Sequence, residues 1–530
     1  MGLLTLPPCS REEILARDVA PGDGCRDALK PWVLALTVAG SSLTMLVLGG
    51  VNVSLPAMQR ELDADVGQAQ WLLNGYLLTL AAFTLPMGAA GDRFGRRRVF
   101  LVGLGVFAVA SLLCGLAPST GGLIAARLLQ GLGASMLVPT SLALLAATFP
   151  REERGRAIGT WGAASALTMA LGPPLAGAIT QFFGWHWVFL SVVPFAAATW
   201  LLAWRILPGS RDPDAPPVDL LGGVLASAAL GTLTFGLIRG NHGWWAPDTL
   251  AGLIGGTTLL AAFLVHQTLR QRGERGGGCP PMMPPRLFRD PTFAAANALT
   301  FTLYFGLMSM FFLMPFRLEG VMRFQTWQVG LAFLPFSVLM ATLSRYAGGL
   351  ADRIGPRPLL TLGPLITAAG FLALGWTGTD PSYVTAVLPG LLLIGLGMAA
   401  TVSPLTTTVM NAVPERQAGV ASGVNNTLAR VASLMSVAVV GTLVALVFRG
   451  RLEDALAGAR IDTDLAAAVL AQADRLALVD TAAAPLLRPD VDAAFADAFF
   501  GAMVLAAACA VVCTGLAWFV LRPPKPSRPG

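Results

Sequence analysis

Two arginines, Arg127 and Arg430, stand inside apolar stretches of about twenty residues, where an ion is costly. Gln130 and Ala134 follow Arg127 at i+3 and i+7, while Gly423 and Asn426 precede Arg430 at i−7 and i−4. Each arginine therefore shares a helix stripe with small or polar groups. A guanidinium so placed can neutralise an anionic or strongly polar group reaching it through water. Two readings stay open for each. Arg127, roughly five residues below the outer end of its stretch at about 1.5 Å per residue, faces a cavity or snorkels to the outer headgroups. Arg430, near mid-membrane, faces a water-filled path or is satisfied by carbonyls and by Asn425 and Asn426 between packed helices.

The acids are as informative as the bases. None of the thirty Asp and Glu residues falls deep in an apolar stretch: Asp219 and Asp497 stand at helix ends and Glu319 in an outer loop. His186 and His266 are also terminal. A buried carboxylate with a raised pKa is the usual proton carrier, and no residue here fits that role. Of six cysteines, Cys114, Cys509 and Cys513 fall in apolar stretches and Cys9, Cys25 and Cys279 in polar segments, with no metal-like grouping. Three histidines, no deep carboxylate and no nucleotide-cradling loop argue against an embedded enzyme, and no cofactor is implied.

A third kind of chemistry sits at the membrane surface. Gly91-Asp92-Arg93-Phe94-Gly95-Arg96-Arg97-Arg98 returns 260 residues later as Ala351-Asp352-Arg353-Ile354-Gly355-Pro356-Arg357. In each copy glycine permits a tight turn, the Asp can pair with a neighbouring helix end or arginine, and the arginines hold the loop inside. Asp92 and Asp352 read as matched gate residues that pair across the cytoplasmic face in one state and release in the other. A second echo, Phe149 to Gly155 against Val413 to Gly419, keeps nearly the same offset.

These groups need helices to hold them. The 530 residues are 55% hydrophobic and only 12% charged, which marks a multi-pass membrane protein and removes nucleic acid as the meaning of the +6 charge. Fourteen spans are expected, starting near Trp32, Trp71, Val99, Leu123, Ala157, Trp187, Leu220, Leu250, Phe293, Gln328, Leu359, Tyr383, Val420 and Phe495. With the N-terminus inside, cytoplasmic segments hold 25 Lys/Arg and outer segments 9, five of these in one long loop, which fixes the orientation. The repeat divides the chain into a cytoplasmic tail (1–30), a six-helix bundle (31–208), an inserted helix pair (209–268), a Gly/Pro-rich linker (269–292), a second bundle (293–521) and a cytoplasmic tail (522–530). The outer segment 449–493 carries leucines at partly helical spacing. It is an amphipathic cap over the outer mouth or a surface loop packed on its own helix ends. The Met308, Met310, Phe311, Phe312, Met314 and Phe316 cluster lines an adaptable pocket or, more often for such a stripe in a membrane protein, faces lipid or packs.

The loop Gly88 to Arg98 and the run Arg127-Leu128-Leu129-Gln130-Gly131-Leu132-Gly133 resemble signatures of the major facilitator superfamily. Within it, the chain is similar to the fourteen-helix drug/proton antiporters of bacteria. Asn52-Val53-Ser54-Leu55-Pro56, Trp71 through Tyr76, Trp185 to Leu190 and Gly423-Val424-Asn425-Asn426 are similar to further family landmarks. The resemblance implies an all-α fold of two six-helix bundles with a two-helix insert, and a secondary exporter of small amphipathic compounds acting by alternating access from the inner cell membrane. A monomer is expected, with protons as coupling ion. It also favours the cavity reading of Arg127 and points to Arg127, Gln130, Asn52, Asn425, Asn426 and Arg430 as cavity residues and to Gly91, Asp92, Arg93, Gly95, Arg96, Asp352, Arg353 and Gly355 as gating loops. Gly159, Gly172, Pro173 and Gly177 match the family's antiporter motif in the fifth helix, where Thr168 and Ala176 replace glycines; the Pro173-Pro174 pair should kink it. One departure stands out: Val47 occupies the position of the family's first-helix Asp. With no acid beside it, an arginine-bearing cavity repels lipophilic cations, which keeps translocation of an anionic lipid or lipid-like metabolite, or a transport-inactive sensor, as alternatives.

Overall fold

The computed structural model describes residues 24–210, 217–273, 280–414, 417–458, 463–479, 481 and 485–520. Most of the expected N-terminal tail, the C-terminal tail, Cys9 and Cys279 lie outside the described residues. Among those described, fourteen helices are long and apolar enough to cross a bilayer. They are α1 (Leu29–Glu61), α2 (Val66–Phe94), α3 (Arg96–Gly115), α4 (Thr120–Thr148), α5 (Glu153–Phe183), α6 (His186–Ile206), α7 (Leu220–Arg239), α8 (Pro247–Gly273), α9 (Pro291–Val321), α10 (Thr326–Ile354), α11 (Pro356–Gly375), α12 (Tyr383–Asn411), α13 (Gly419–Ala457) and α14 (Pro485–Val520). The expected starts fall at or just inside these helices except the last. Phe495 lies well inside α14, whose charged first turns, Arg488 to Asp492, disguise it as loop.

Short polar breaks end the helices for local reasons. Asp65 caps α2 in a reciprocal pair with Gln68, and Asp290 caps the start of α9 by accepting from the Phe293 N–H at 2.9 Å. The two repeated loops turn the same way: Gly95 has φ 106° and Gly355 φ 82°, a region that strains any other residue. Two residues later in each loop an arginine donates to a carbonyl on the last helix of its own bundle, Arg97 to Trp204 on α6 and Arg357 to Trp518 on α14. A buried hydroxyl pair is repeated too. Ser54 meets Thr180 at 2.7 Å between α1 and α5, and Ser309 meets Ser436 at 2.9 Å between α9 and α13. The sequence repeat is thus a structural repeat.

The inserted pair packs on itself through Gly236 and Gly252, where an added Cβ on Gly252 would sit 2.5 Å from the Gly236 Cα. It leans on the seam between the bundles: Gly223 of α7 faces Pro86 of α2, and Thr442 of α13 donates to the Leu237 carbonyl at 2.9 Å. The segment 449–493 differs from the expected outer loop, since α13 runs on as helix to its end and α14 begins before Phe495. Between them a short helix (Thr463–Leu470) and a 3-10 turn (Ala473–Leu478) bury Leu452, Val469 and Leu476 against the bundle. Of the Met/Phe cluster on α9, Met310, Phe312, Met314 and Phe316 are fully buried in the core, as packing side chains.

Candidate substrate pathway and its gates

The two bundles are joined on the face that the Lys/Arg distribution marks as the outer one, and outer and inner are used below in that sense. Arg60 of α1 binds Glu319 of α9 at 2.9 Å, and Thr326 donates to the other Glu319 oxygen at 2.9 Å. Glu319 lies on a π-helical turn, Arg317–Val321, and is buried, whereas the sequence placed it in an outer loop. Nearby, Gln181 of α5 accepts from the Thr326 N–H at 3.2 Å, Gln59 donates to the Asp474 carbonyl at 3.2 Å, and Arg475 pairs with Asp63. The outer segment therefore straddles the seam, as an amphipathic cap would. Arg323 and Arg488 both hold Asp492, at 3.1 and 2.7 Å, around an outer cleft of about 740 Å³ that Arg60, Glu319 and Arg475 complete. Deeper in the outer leaflet α5 and α10 touch backbone to backbone. A Cβ on Gly330 would lie 2.3 Å from the Pro173 carbonyl oxygen, and one on Gly177 2.6 Å from that of Thr326.

Toward the cytoplasm the same helices part. Cβ positions at Gly155, Gly159 and Gly162 on α5 and at Gly349 on α10 have nothing within 4 Å. Among the described residues, every hydrogen bond and ion pair joining the bundles lies in the outer half. Along α5 and α10 the molecule is closed outside and parted inside, while α2 and α13 still meet toward the cytoplasm, where a Cβ on Gly423 would lie 2.8 Å from Leu85.

None of the sequence-predicted gate residues bonds the opposite bundle among the described residues. Asp92 pairs with Arg96 of its own loop at 2.8 Å, the Arg96 N–H bonds the Ser210 carbonyl, and Gly91 packs against Thr140. Asp352 and Arg353 are exposed, as is Phe94 beside Arg93. No described contact joins the two loops across the face. On α5, Gly172 lies against the Leu46 carbonyl of α1 and Gly177 against α10, so the glycines of the motif serve close approach; the helix is continuous through Pro173 and Pro174.

The predicted cavity residues do not form one group. Arg127 is 1% exposed and held within the first bundle. Its Nε donates to the Leu72 carbonyl at 3.0 Å, its Nη1 to Gln130 Oε1 at 2.5 Å, and its guanidinium lies 4.5 Å from the Tyr76 ring centre and 5.8 Å from that of Phe189. Gln130 passes the chain on to Ser111 at 2.8 Å, inside the first bundle. Asn52 is buried and its Oδ1 has no protein partner. Asn425 donates to Asn297 at 3.2 Å and to Thr300 at 2.6 Å, a bond between α13 and α9 within the second bundle. Asn426 is exposed and bonds only its own helix at Ser422. Arg430 is half-buried, with neither hydrogen bond nor ion pair among the described residues.

Several functional candidates escaped the sequence. Arg317, counted there among the outer charges, is 1% exposed, with Thr377 at 2.5 Å and the Phe499 ring at 4.9 Å. Asn74 is fully buried with neither amide atom partnered by protein. Asp219 caps α7 at the cytoplasmic face and is buried, with Gly222 N at 2.9 Å, His266 at 3.0 Å, Gln267 at 2.8 Å and Arg270 at 3.4 Å. Burial alone would raise its pKa; hydrogen bonds from His266, Gly222 and Gln267 with the Arg270 charge outweigh that and lower it.

A family model described as Major Facilitator Superfamily matches residues 37–437. The chain belongs to the Major Facilitator Superfamily. Among its relatives, the multidrug resistance protein Stp of Mycobacterium tuberculosis is 35% identical over 79% of this chain and 77% of its own length. The tetracenomycin C resistance and export protein of Streptomyces glaucescens is 32% identical over 80% of this chain and 78% of its own. Among solved structures, a bacterial homologue of the human lysosomal transporter Spinster, inward-facing and unoccupied, superimposes with a TM-score of 0.64 at 15% identity, over 94% of this chain and 99% of that one. At that identity the likeness is one of fold.

Proposed function

We propose that this superfamily member exports small amphipathic compounds from the cytoplasm by alternating access, as a carrier with no chemical step. It would sit in the cell membrane with both termini inside, its two bundles (31–208 and 293–521) rocking about a central site while the insert (209–268) braces the seam. The carrying observation is the asymmetry of that seam: sealed outside by Arg60–Glu319 and the Gly177–Gly330 approach, parted inside. The names of its relatives, resistance and export proteins, support export of antibiotic-like molecules over lipid translocation.

Arg430 and Asn426 are the residues we assign to the open pathway, with Asn425, Gln130, Asn52 and Arg127 holding the helices that present them. The loops around Asp92 and Asp352 would meet across the cytoplasmic face once the molecule opens outward. The proton carrier, in this reading, is not at mid-membrane. Val47 is fully buried among apolar neighbours, and the buried carboxylates among the described residues, Asp219 and Glu319, stand at opposite faces. Everted membrane vesicles loaded with the full chain test the proposal: a fluorescent amphipathic substrate should accumulate inside when energy is supplied. Equal accumulation in vesicles lacking the protein would refute it.

A further inference from the structure

Arg430 is the charge the structure leaves unmatched. Every other arginine buried in a span is bound on its own side of the seam, Arg127 by Leu72, Gln130 and the Tyr76 ring, Arg317 by Thr377 and the Phe499 ring. Arg430 lies about ten residues into α13, some 15 Å along the helix at about 1.5 Å per residue, too deep to reach water by snorkelling alone. It is half-buried, so part of its side chain borders an accessible space. That space lies by the seam, because Gly423, two turns earlier on the same stripe of α13, faces Leu85 of α2 in the first bundle, where an added Cβ would lie 2.8 Å from it. On the other side of the seam, Arg127 is already held over the Tyr76 ring at 4.5 Å. The buried carboxylates among the described residues, Asp219 and Glu319, are engaged at the two membrane faces by His266 and Arg270 and by Arg60.

We propose that Arg430 is the recognition group for the acidic head of the cargo, so that this exporter selects aromatic or otherwise amphipathic organic anions bearing a carboxylate or sulfonate. The proposal rests on the export reading above and names its substrate class. An anion at Arg430 supplies the counter-charge that the protein withholds, and a planar guanidinium holds such a group with two parallel bonds. A lipophilic cation meets only repulsion there.

The test uses the full chain in phosphatidylcholine nanodiscs and in everted vesicles, with three probes of matched size: an aromatic carboxylate dye, its neutral methyl ester and an aromatic cation. Wild type should bind the carboxylate about tenfold or more tighter than the cation, R430Q should lose about tenfold for the carboxylate but keep the ester, and R430K should retain most of the binding. Cation binding as tight as the carboxylate, or R430Q indifferent to the carboxylate, overturns the proposal. The wild-type order needs no variant, so a poorly folded R430Q leaves the test standing. Displacement of the dye by phosphatidylglycerol added to the nanodiscs would assign the site to a lipid headgroup and likewise overturn it. If vesicles take up none of the probes, the export reading fails, while the nanodisc order still decides the anion preference.

Discussion

At the scale of residues, charge in an apolar run was legible in the sequence and its direction was not. Arg127 and Arg430 look alike there, each on a polar-to-small stripe, yet one is buried and bonded inside a bundle and the other is half-buried with no partner among the described residues. The difference lies in partners distant in sequence, the Leu72 carbonyl and the Tyr76 ring, which no spacing rule reveals. Arg317 was missed because it sits at the edge of its hydropathic run, where an arginine normally reaches headgroups. The two roles separate by experiment. Arg127→Ala orphans the buried Gln130 Oε1, at about 1–3 kcal/mol, and removes the guanidinium from the Tyr76 ring, and should lower the melting temperature of the purified protein clearly. Arg430→Gln should melt close to wild type while changing what binds. A stable Arg127→Ala would mean that its bonds are not structural.

At the scale of elements, the sequence supplied the fourteen helices and the turn glycines, because hydropathy and loop chemistry are local. It did not supply the contacts between bundles, which depend on which helix faces meet. Gly330 carried no motif, yet its closeness to Pro173 seals the outer seam. Gly330→Leu should fold, since its neighbour lies across a seam that opens, but keep the outer side ajar; outer-face cysteine labelling would rise and transport fall. Glu319→Gln removes an ion pair with one exposed and one buried partner, an effect on the order of 1 kcal/mol after screening, or roughly a fivefold shift toward the outward-open form. Spin-label distances between the outer ends of α1 and α9 read that shift directly, and unchanged distances would deny the latch. At the inner end of α7, Asp219 has a lowered pKa, so its contribution to stability is complete above its unfolded value of about 4 and is lost as pH falls through the lower folded value. Asp219→Asn should therefore melt earlier than wild type at pH 7, with the gap closing in strong acid.

At the scale of the whole molecule, the pseudo-symmetry was readable from two loops 260 residues apart, and the structure extends it to the paired Arg97–Trp204 and Arg357–Trp518 bonds. Which side of the membrane is open was not readable, since one sequence must serve both states. Its answer lies in the asymmetry between the bonded outer seam and the bare glycines of the inner one. The central claim is that transport requires this outer seam to part. In a protein whose six native cysteines are replaced, Gln181→Cys and Thr326→Cys can be bridged by a short reducible crosslinker, because Gln181 already touches the Thr326 backbone at 3.2 Å. Vesicle transport should stop on bridging and return on reduction. Full transport by the bridged protein would contradict alternating access through this seam.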